Sequence, residues 1–196
     1  MHILSTATAF PPHYYSQREV AEALLEFWGP GSGNDPKVGA VLERLHARTA
    51  VEGRYFSRPL EDYRGLDTWG KVNDVWIEVA QELGERAIDC ALKAAGLSRS
   101  QIGAIFFVTV TGVASPSIDA RLVNRMGLQR NIRRNPIFGL GCVAGASGLT
   151  RAADYVRAYP DQVAVLLSVE LCSLTRQLPR LLQLILHQVR EHPVTK

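Results

Sequence analysis

Two largely apolar runs limit what this chain can fold into. They are AIFFVTVTG, residues 104–112, and QVAVLLSVELCS, residues 162–173, and both carry apolar residues on the two faces of an extended chain. A strand of this kind is buried on both faces, so layers must lie above and below it. Helical patterns lie between the two runs, and the order strand, helix, strand predicts a layered α/β fold.

Weaker patterns predict the other elements. Residues 1–10 are expected to form a short strand that the following prolines end, and Ser16 with Glu19 has the spacing of a capping box at a helix start. Residues 72–96 place apolar side chains at helical spacing and end at a glycine. The remaining expectations are helices over 38–49, 120–128 and 145–159, a loop over 29–37, and a brief strand that begins at Pro136 and breaks at Gly139.

Composition excludes several classes of protein. The 196 residues hold 22 Lys and Arg against 19 Asp and Glu, and a net charge of +3 gives no indication of a nucleic-acid partner. The first residues lack the basic and apolar regions of a signal peptide, and no run of about 18 apolar residues predicts a membrane span. We therefore expect a cytoplasmic protein with one core and with neither nucleic-acid nor membrane partners.

The three cysteines, Cys90, Cys142 and Cys172, are an odd number at wide spacing without a CxxC pair. This pattern predicts neither a disulfide framework nor a metal site. Cys90 falls within the long helix of residues 72–96, on its expected apolar face, and is interpreted as a small buried side chain.

Cys142 lies in FGLGCVAGASG, residues 138–148, among glycines and small side chains. A cysteine in the first turn of a helix is close to the positive end of the helix dipole and to unpaired N–H groups, which favour the thiolate. Glycine costs about 1 kcal/mol relative to alanine at each helical position, so close packing of this helix is expected to compensate. A tightly packed helix with an inert cysteine fits the spacing equally well.

The same stretch fits a dinucleotide-binding motif. Gly139, Gly141 and Ala144 match G-x-G-x-x-A, and Asp161 follows Gly141 by 20 positions, where an acidic residue would hold the ribose. That motif needs a full strand before it, and Pro136 leaves two residues before the first glycine. A nicotinamide-dependent oxidoreductase therefore remains a lesser alternative.

Five stretches follow one another along the chain from about Ile3 to Thr175. They are ILSTATAFPPHYYSQREV, GRYF, FFVTVTGVASPSIDARLVNRMGL, GLGCVAGASGL and VAVLLSVELCSLT. Together they resemble the type III polyketide synthases, the chalcone and stilbene synthase family. The resemblance implies the N-terminal half of a thiolase-like fold, a layered αβαβα architecture, over residues 1–175.

The resemblance also implies a reaction. Cys142 would be the nucleophile that takes a starter acyl group from coenzyme A, and malonyl-CoA would then lose carbon dioxide and attack the thioester. The expected partners are acyl-CoA, malonyl-CoA and a second copy of the chain in a homodimer, and no metal or redox cofactor is needed.

Six further residues receive roles from the resemblance alone. Arg44 and Arg48, one helical turn apart, would meet the coenzyme A phosphates. The others would line the acyl-chain pocket or the loop that reaches the partner subunit's cavity: Thr109, Cys172 and Thr175 for the pocket, and Ser115 for the loop.

The C-terminal residues depart from the family pattern. The family's catalytic histidine and asparagine belong to a second half, and none of the five histidines in this chain lies in a motif that matches that of the catalytic histidine. Residues 176–196 are read as a non-matching tail, from truncation or a frameshift, although apolar residues in it have the spacing of a short helix.

Loss of the second half would expose the apolar sides of strands 104–112 and 163–174, so the isolated chain would tend to aggregate. The isolated chain is therefore of doubtful activity. The alternative to an active enzyme is a silent remnant that binds coenzyme A or dimerises with an intact synthase.

Overall fold

The structure, a computed structural model, describes residues 2–27, 44 and 48–175. Five strands and four helices have defined bounds in this part of the chain. The strands are β1 His13–Ser16, β2 Gly53–Phe56, β3 Ile102–Thr109, β4 Arg133–Phe138 and β5 Val163–Ser168; the helices are α1 Gln17–Phe27, α2 Trp69–Ala95, α3 Ile118–Arg125 and α4 Ala144–Ala158. The expected loop at 29–37 lies outside the described residues, as does the helix at 38–49 apart from Arg44, Arg48 and Thr49.

A parallel three-stranded sheet in the order β4-β3-β5 forms the centre of the molecule. β3 pairs with both neighbours, and Val108 lies opposite Ile137 of β4 and Ser168 of β5. The apolar run that dominates the sequence is this middle strand, and its residues are buried almost throughout. The layered α/β prediction is therefore confirmed.

Helices cover both faces of this sheet. Ile105 and Phe107 of β3 pack in the main core with α2 and α3, whereas Ala104 and Phe106 pack with Ala152 of α4 on the other face. The chain goes from β3 to β4 through α3, and then crosses β3 to reach β5 through α4. Right-handed connections that run in opposite directions place their helices on opposite faces, which explains the two layers.

A second, two-stranded sheet is attached beside this core. β1 and β2 pair antiparallel, with His13 opposite Phe56. The capping box at the start of α1 is confirmed, because the Ser16 N–H donates to Glu19 Oε2 (2.7 Å) and the Glu19 N–H donates to Ser16 Oγ (3.3 Å). These hydrogen bonds hold the pKa of Glu19 below its usual value.

The prediction of a strand over residues 1–10 is wrong for the described residues 2–10, which belong to neither sheet. The alternation expected of a strand is nevertheless present, because Ser5, Ala7 and Ala9 are half-buried and the residues between them are exposed. The segment has the exposure pattern of a strand but pairs with no strand of the described chain.

Three further predictions need correction. Cys90 is exposed, because the buried stripe of α2 runs through Ile88 and Leu92 and Cys90 lies between them on another side of the helix. β4 is a full six-residue strand that includes Pro136, which an edge strand tolerates. Of the two apolar strands that the sequence predicted to be exposed, β3 is buried and β5 is half-exposed.

Candidate active site

All three parallel strands end at one edge of the sheet. The loop after β3 carries Ser115, the turn after β4 carries Cys142, and the turn after β5 carries Cys172. Thr109 is the last residue of β3, and Thr175 follows the last turn. The topology therefore brings five of the seven predicted site residues to the carboxyl edge, where open α/β sheets bind their ligands.

Cys142 lies in a single 3-10 turn, Gly141–Val143, which leads directly into α4. The sequence predicted that Cys142 lies in the first turn of the helix, whereas in the structure it lies in the turn just before that helix. The thiol is free and exposed, and no side chain caps the start of α4. The positive end of the α4 dipole is thus next to the cysteine.

Two glycines determine how the chain reaches Cys142. Gly139 has φ = 86° and Gly141 has φ = 55°, both in the left-handed region that disfavours other residues. A Cβ at either position would meet nothing within 4 Å. Backbone conformation, rather than lack of space, therefore requires glycine at these two positions.

The close packing expected of the small residues after Cys142 is present in α4. A Cβ on Gly148 would lie 2.5 Å from Leu166 Cδ1 and 3.0 Å from Val108 Cγ1. Ala144 is buried against Val108 and Ile137. The first turns of α4 therefore rest on side chains of the sheet, which offsets the helical cost of the glycines.

Four large apolar side chains within seven residues of Cys142 in the sequence are exposed, and we call them the apolar patch around Cys142. Phe138 and Val143 are each 59% exposed, and Leu140 and Leu149 are also exposed. An apolar patch of this kind on a folded domain indicates a binding surface for a ligand or for another polypeptide.

Thr109 joins the ends of two strands. Its side chain is buried, and Thr109 Oγ1 donates to the backbone oxygen of Val169 at 2.7 Å, while the Thr111 N–H donates to the same hydroxyl at 3.4 Å. The side chain therefore has a structural task in addition to the pocket role that remains a prediction.

The other predicted residues of this edge are exposed. Thr175 Oγ1 donates to the backbone oxygen of Cys172 at 2.8 Å and closes the last turn. Ser115 lies in the loop between β3 and α3. Away from this edge, Arg44 and Arg48 are both helical and exposed, and their contact with coenzyme A stays a prediction.

Sequence reasoning missed two residues of α2 that hold the loop after β3. Asn73 Oδ1 accepts from the Val113 N–H at 2.9 Å, and Asn73 Nδ2 donates to the Val113 oxygen at 2.8 Å. Trp76 Nε1 donates to Thr111 Oγ1 at 3.1 Å. A polar residue on the buried face of α2 was the signal available in the sequence.

Hydroxyl groups connect the turn after β5 to the segment after β2. Tyr63 Oη donates to Ser173 Oγ at 2.7 Å, and the Ser57 N–H donates to Tyr63 Oη at 3.2 Å. Burial raises the pKa of Tyr63, so its hydroxyl remains protonated and able to donate at neutral pH.

The geometry argues against the dinucleotide motif. Gly139 and Gly141 follow β4 at the carboxyl edge, whereas Asp161 precedes β5 and lies at the opposite, amino edge. The intervening helix α4 is about 22 Å long. Asp161 therefore does not lie where it would hold the ribose of a nucleotide at these glycines.

The family model for chalcone and stilbene synthases, N-terminal domain, matches residues 1–182. This chain belongs to the chalcone and stilbene synthase family. The match extends seven residues past Thr175, the end expected from the sequence motifs.

Two proteins similar to this chain are named as synthases. It is 45% identical over 176 residues to 1,3,6,8-tetrahydroxynaphthalene synthase of Streptomyces peucetius subsp. caesius, covering 89% of this chain and 45% of that protein. It is 31% identical over 169 residues to 3,5-dihydroxyphenylacetyl-CoA synthase of Amycolatopsis balhimycina, covering 85% and 42%.

Solved structures agree with the family and with a thiolase-like fold. The type III polyketide synthase 1,3,6,8-tetrahydroxynaphthalene synthase of Streptomyces coelicolor A3(2) superposes with a TM-score of 0.78 at 32% identity, over 88% of this chain and 48% of that one. The chain therefore spans about half the length of the relatives it matches. Within the described residues, no helix is long and apolar enough to cross a membrane.

Proposed function

We propose that this chain carries the nucleophile half of a cytoplasmic type III polyketide synthase, an acyltransferase that condenses malonyl-CoA with a starter acyl group. The observation that carries the proposal is the exposed Cys142 thiol at the carboxyl edge, directly before α4. Relatives named as synthases of polyhydroxylated naphthalene and phenylacetyl-CoA products support the reaction class.

The first step is transfer of the starter. The Cys142 thiolate attacks the carbonyl carbon of an acyl-CoA, the carbon–sulfur bond to coenzyme A breaks, and coenzyme A leaves as a thiolate that takes up a proton from solvent. Arg44 and Arg48 are proposed to bind the coenzyme A phosphates, where guanidinium groups form charge-assisted hydrogen bonds.

The second step extends the chain. Malonyl-CoA loses carbon dioxide, and the resulting enolate carbon attacks the thioester carbonyl and releases the Cys142 thiolate. Thr109, Cys172 and Thr175 are proposed to line the acyl pocket, and Ser115 to lie on the loop toward a partner subunit in a homodimer. The hydrogen-bond donors for the developing oxyanions belong to the second half of the family fold.

Intact-mass measurement after incubation with a starter acyl-CoA tests the proposal. We expect one acyl adduct that disappears in Cys142→Ser and persists in Cys90→Ser and Cys172→Ser, because all three thiols are exposed and only Cys142 precedes a helix of the carboxyl edge. An adduct that survives Cys142→Ser would refute the assignment of the nucleophile.

A second candidate is a silent remnant that binds coenzyme A or pairs with an intact synthase. The exposed apolar patch around Cys142 favours it. Absence of any adduct, together with co-purification of a full-length synthase, would support this candidate over the first.

A further inference from the structure

The 3-10 turn after β5, Cys172–Leu174, alternates between exposed and buried residues. Cys172 and Thr175, at its start and just after its end, are exposed at the carboxyl edge of the sheet. Between them, Ser173 is half-buried and Leu174 is 4% exposed. The outward position of Cys172 and Thr175 therefore depends on how the two residues between them are held.

Two buried residues from a distant part of the chain hold Ser173. Tyr63 Oη donates to Ser173 Oγ at 2.7 Å, and the Ser57 N–H donates to the same oxygen at 3.2 Å. Ser57 Oγ also lies 3.2 Å from Ser173 Oγ. Hydrogen bonds from the segment after β2 thus converge on the middle residue of the turn.

The hydrogen-bonding capacity of Ser173 gives these contacts a direction. A hydroxyl oxygen has two acceptor positions and one hydrogen. Tyr63 Oη and the Ser57 N–H take both acceptor positions of Ser173 Oγ, so the hydrogen of Ser173 is donated to Ser57 Oγ. The three hydroxyls form a chain from Tyr63 through Ser173 to Ser57, and Tyr63 is its first donor.

Packing fixes the ring of Tyr63. The residue belongs to the 3-10 helix Leu60–Gly65 and is 5% exposed. Its ring packs edge-on against Phe56, with 5.5 Å between the centroids, and it is part of the same core cluster as Leu174. The hydroxyl at the end of this ring is therefore a fixed point against which the turn is placed.

We propose that Tyr63 is a positioning residue for the acyl pocket, because its hydroxyl holds Ser173 and thereby keeps Cys172 and Thr175 in place as a pocket wall. The inference rests on the proposed function, which assigns Cys172 and Thr175 to this pocket. Tyr63 acts through Ser173 and does not touch the acyl group.

An ordered wall favours starters that are long enough to reach it. Each methylene that packs against such a wall adds to binding, whereas a mobile wall must first be ordered at an entropic cost. Tyr63 therefore contributes to the choice between long and short acyl groups rather than to the chemistry at Cys142.

Two matched variants separate this hydroxyl from others nearby. Tyr63→Phe keeps the ring in the core, and the Ser57 N–H retains Ser173 Oγ as its acceptor, so we expect the variant to fold. Tyr15→Phe is the control. The Tyr15 hydroxyl accepts from the Leu60 N–H at 3.2 Å, at the start of the same 3-10 helix, but it is not part of the hydroxyl chain.

Hydrogen exchange in the full chain tests the positioning without any acyl transfer. The Leu174 N–H donates to the Leu171 oxygen at 2.9 Å, and the Thr175 N–H donates to the Cys172 oxygen at 3.1 Å. In Tyr63→Phe we expect both amides to exchange roughly 3- to 10-fold faster, the change that loss of one hydrogen bond at a buried group produces. Exchange at the wild-type rate would overturn the proposal.

A double-mutant cycle shows whether Tyr63 acts through Ser173. Ser173→Ala should also accelerate exchange at the two amides, and adding Tyr63→Phe should accelerate it no further, because both variants break the same hydrogen bond. Tyr15→Phe should leave both amides unchanged. Additive effects in the double variant, or an equal effect of Tyr15→Phe, would contradict the assignment.

Acylation of Cys142 by acetyl-CoA and by octanoyl-CoA tests the effect on starter choice. The adduct is quantified on the tryptic peptide 135–151, which contains Cys142 and no other cysteine. In Tyr63→Phe we expect the ratio of the octanoyl rate to the acetyl rate to fall by about 5-fold or more, with the acetyl rate within about 2-fold of wild type. A merely structural role would lower both rates together.

The outcomes distinguish this inference from the proposed function. If wild type is acylated and Tyr63→Phe has the same or a higher ratio, Cys142 remains the nucleophile and the pocket role of Tyr63 is overturned. If wild type takes up neither acyl group, the proposed function fails and the pocket role fails with it, whereas hydrogen exchange still decides whether Tyr63 holds the turn.

Discussion

At the scale of single residues, the hydroxyl of Thr109 connects the end of β3 to the residue after β5 by a hydrogen bond. Thr109→Val keeps the shape of the side chain but leaves the Val169 oxygen without its donor. We expect a loss of about 1–3 kcal/mol in the free energy of unfolding, measured by urea denaturation. Thr109→Ser, which keeps the hydroxyl, should lose less, and equal losses in the two variants would contradict the role of the hydrogen bond.

Gly141 provides a second prediction for a single residue. A Cβ at this position would meet no other atom within 4 Å, but the backbone has a left-handed conformation. Gly141→Ala should destabilise the fold by about 1 kcal/mol or more, since φ = 55° disfavours a Cβ. Gly145→Ala adds the same methyl group in α4, also with nothing within 4 Å, and should stabilise by up to about 1 kcal/mol. If thermal unfolding shows that both substitutions raise Tm, or that both lower it, the distinction between the two glycines would be refuted.

At the scale of elements, the contact between α4 and the sheet depends on Gly148. Gly148→Ala raises helix propensity, yet its Cβ would overlap Leu166. We expect a net loss of about 1–3 kcal/mol in the free energy of unfolding, opposite in sign to the Gly145→Ala control. A stabilised Gly148→Ala variant would show that Leu166 moves aside without cost.

The connection between α2 and the loop after β3 is a second feature at this scale. Asn73→Ala removes both hydrogen bonds to Val113, and we expect faster hydrogen exchange at the Val113 amide. Asp74→Ala, an exposed neighbour on the same helix, is the control and should leave that amide unchanged. Unchanged exchange in Asn73→Ala would mean that Trp76 holds the loop by itself.

At the scale of the whole molecule, ion pairs join α2 to α3 and to the turn before β3. Glu85 Oε2 accepts from Arg125 Nε at 2.6 Å, and Glu85 Oε1 accepts from Arg99 Nη2 at 3.1 Å. The hydrogen bond from Arg125, more than that from Arg99, lowers the pKa of Glu85.

A lowered pKa in the folded state gives a stability that is present above the unfolded value of 4.5 and is lost as the pH falls through the folded value. Glu85→Gln should therefore reduce stability at pH 7 by about 0.2–1 kcal/mol and flatten its acid dependence, measured as Tm against pH. Glu82→Gln, exposed on the same helix, is the control. Parallel pH curves for wild type and Glu85→Gln would contradict this prediction.

The overall architecture could be predicted from the sequence, but the strand pairing could be predicted only in part. The apolar run of β3 needed layers on both faces, and this physical demand predicted the α/β architecture before any coordinate was known. Strand pairing was harder to predict: residues 2–10 have strand periodicity but no partner among the described residues, and β4 tolerates Pro136 because it lies at an edge.

The candidate site divides in the same way. The tight packing of the helix after Cys142 could be predicted because the residues there are small, whereas the role of Cys142 as nucleophile stays a prediction. Asn73 and Trp76 could not be linked to the loop by local pattern, because they are 40 and 35 residues from their partners. Long-range hydrogen bonds leave no periodicity in a sequence.

The two left-handed glycines before Cys142 have an evolutionary consequence. The position of the Cys142 sulfur follows from the backbone conformation at Gly139 and Gly141 and from the packing of α4 against Val108 and Leu166. None of these four residues belongs to the exposed apolar patch around the thiol. Mutation can therefore change the exposed surface around the Cys142 thiol without displacing its sulfur atom, so that this surface and the position of the thiol can evolve separately.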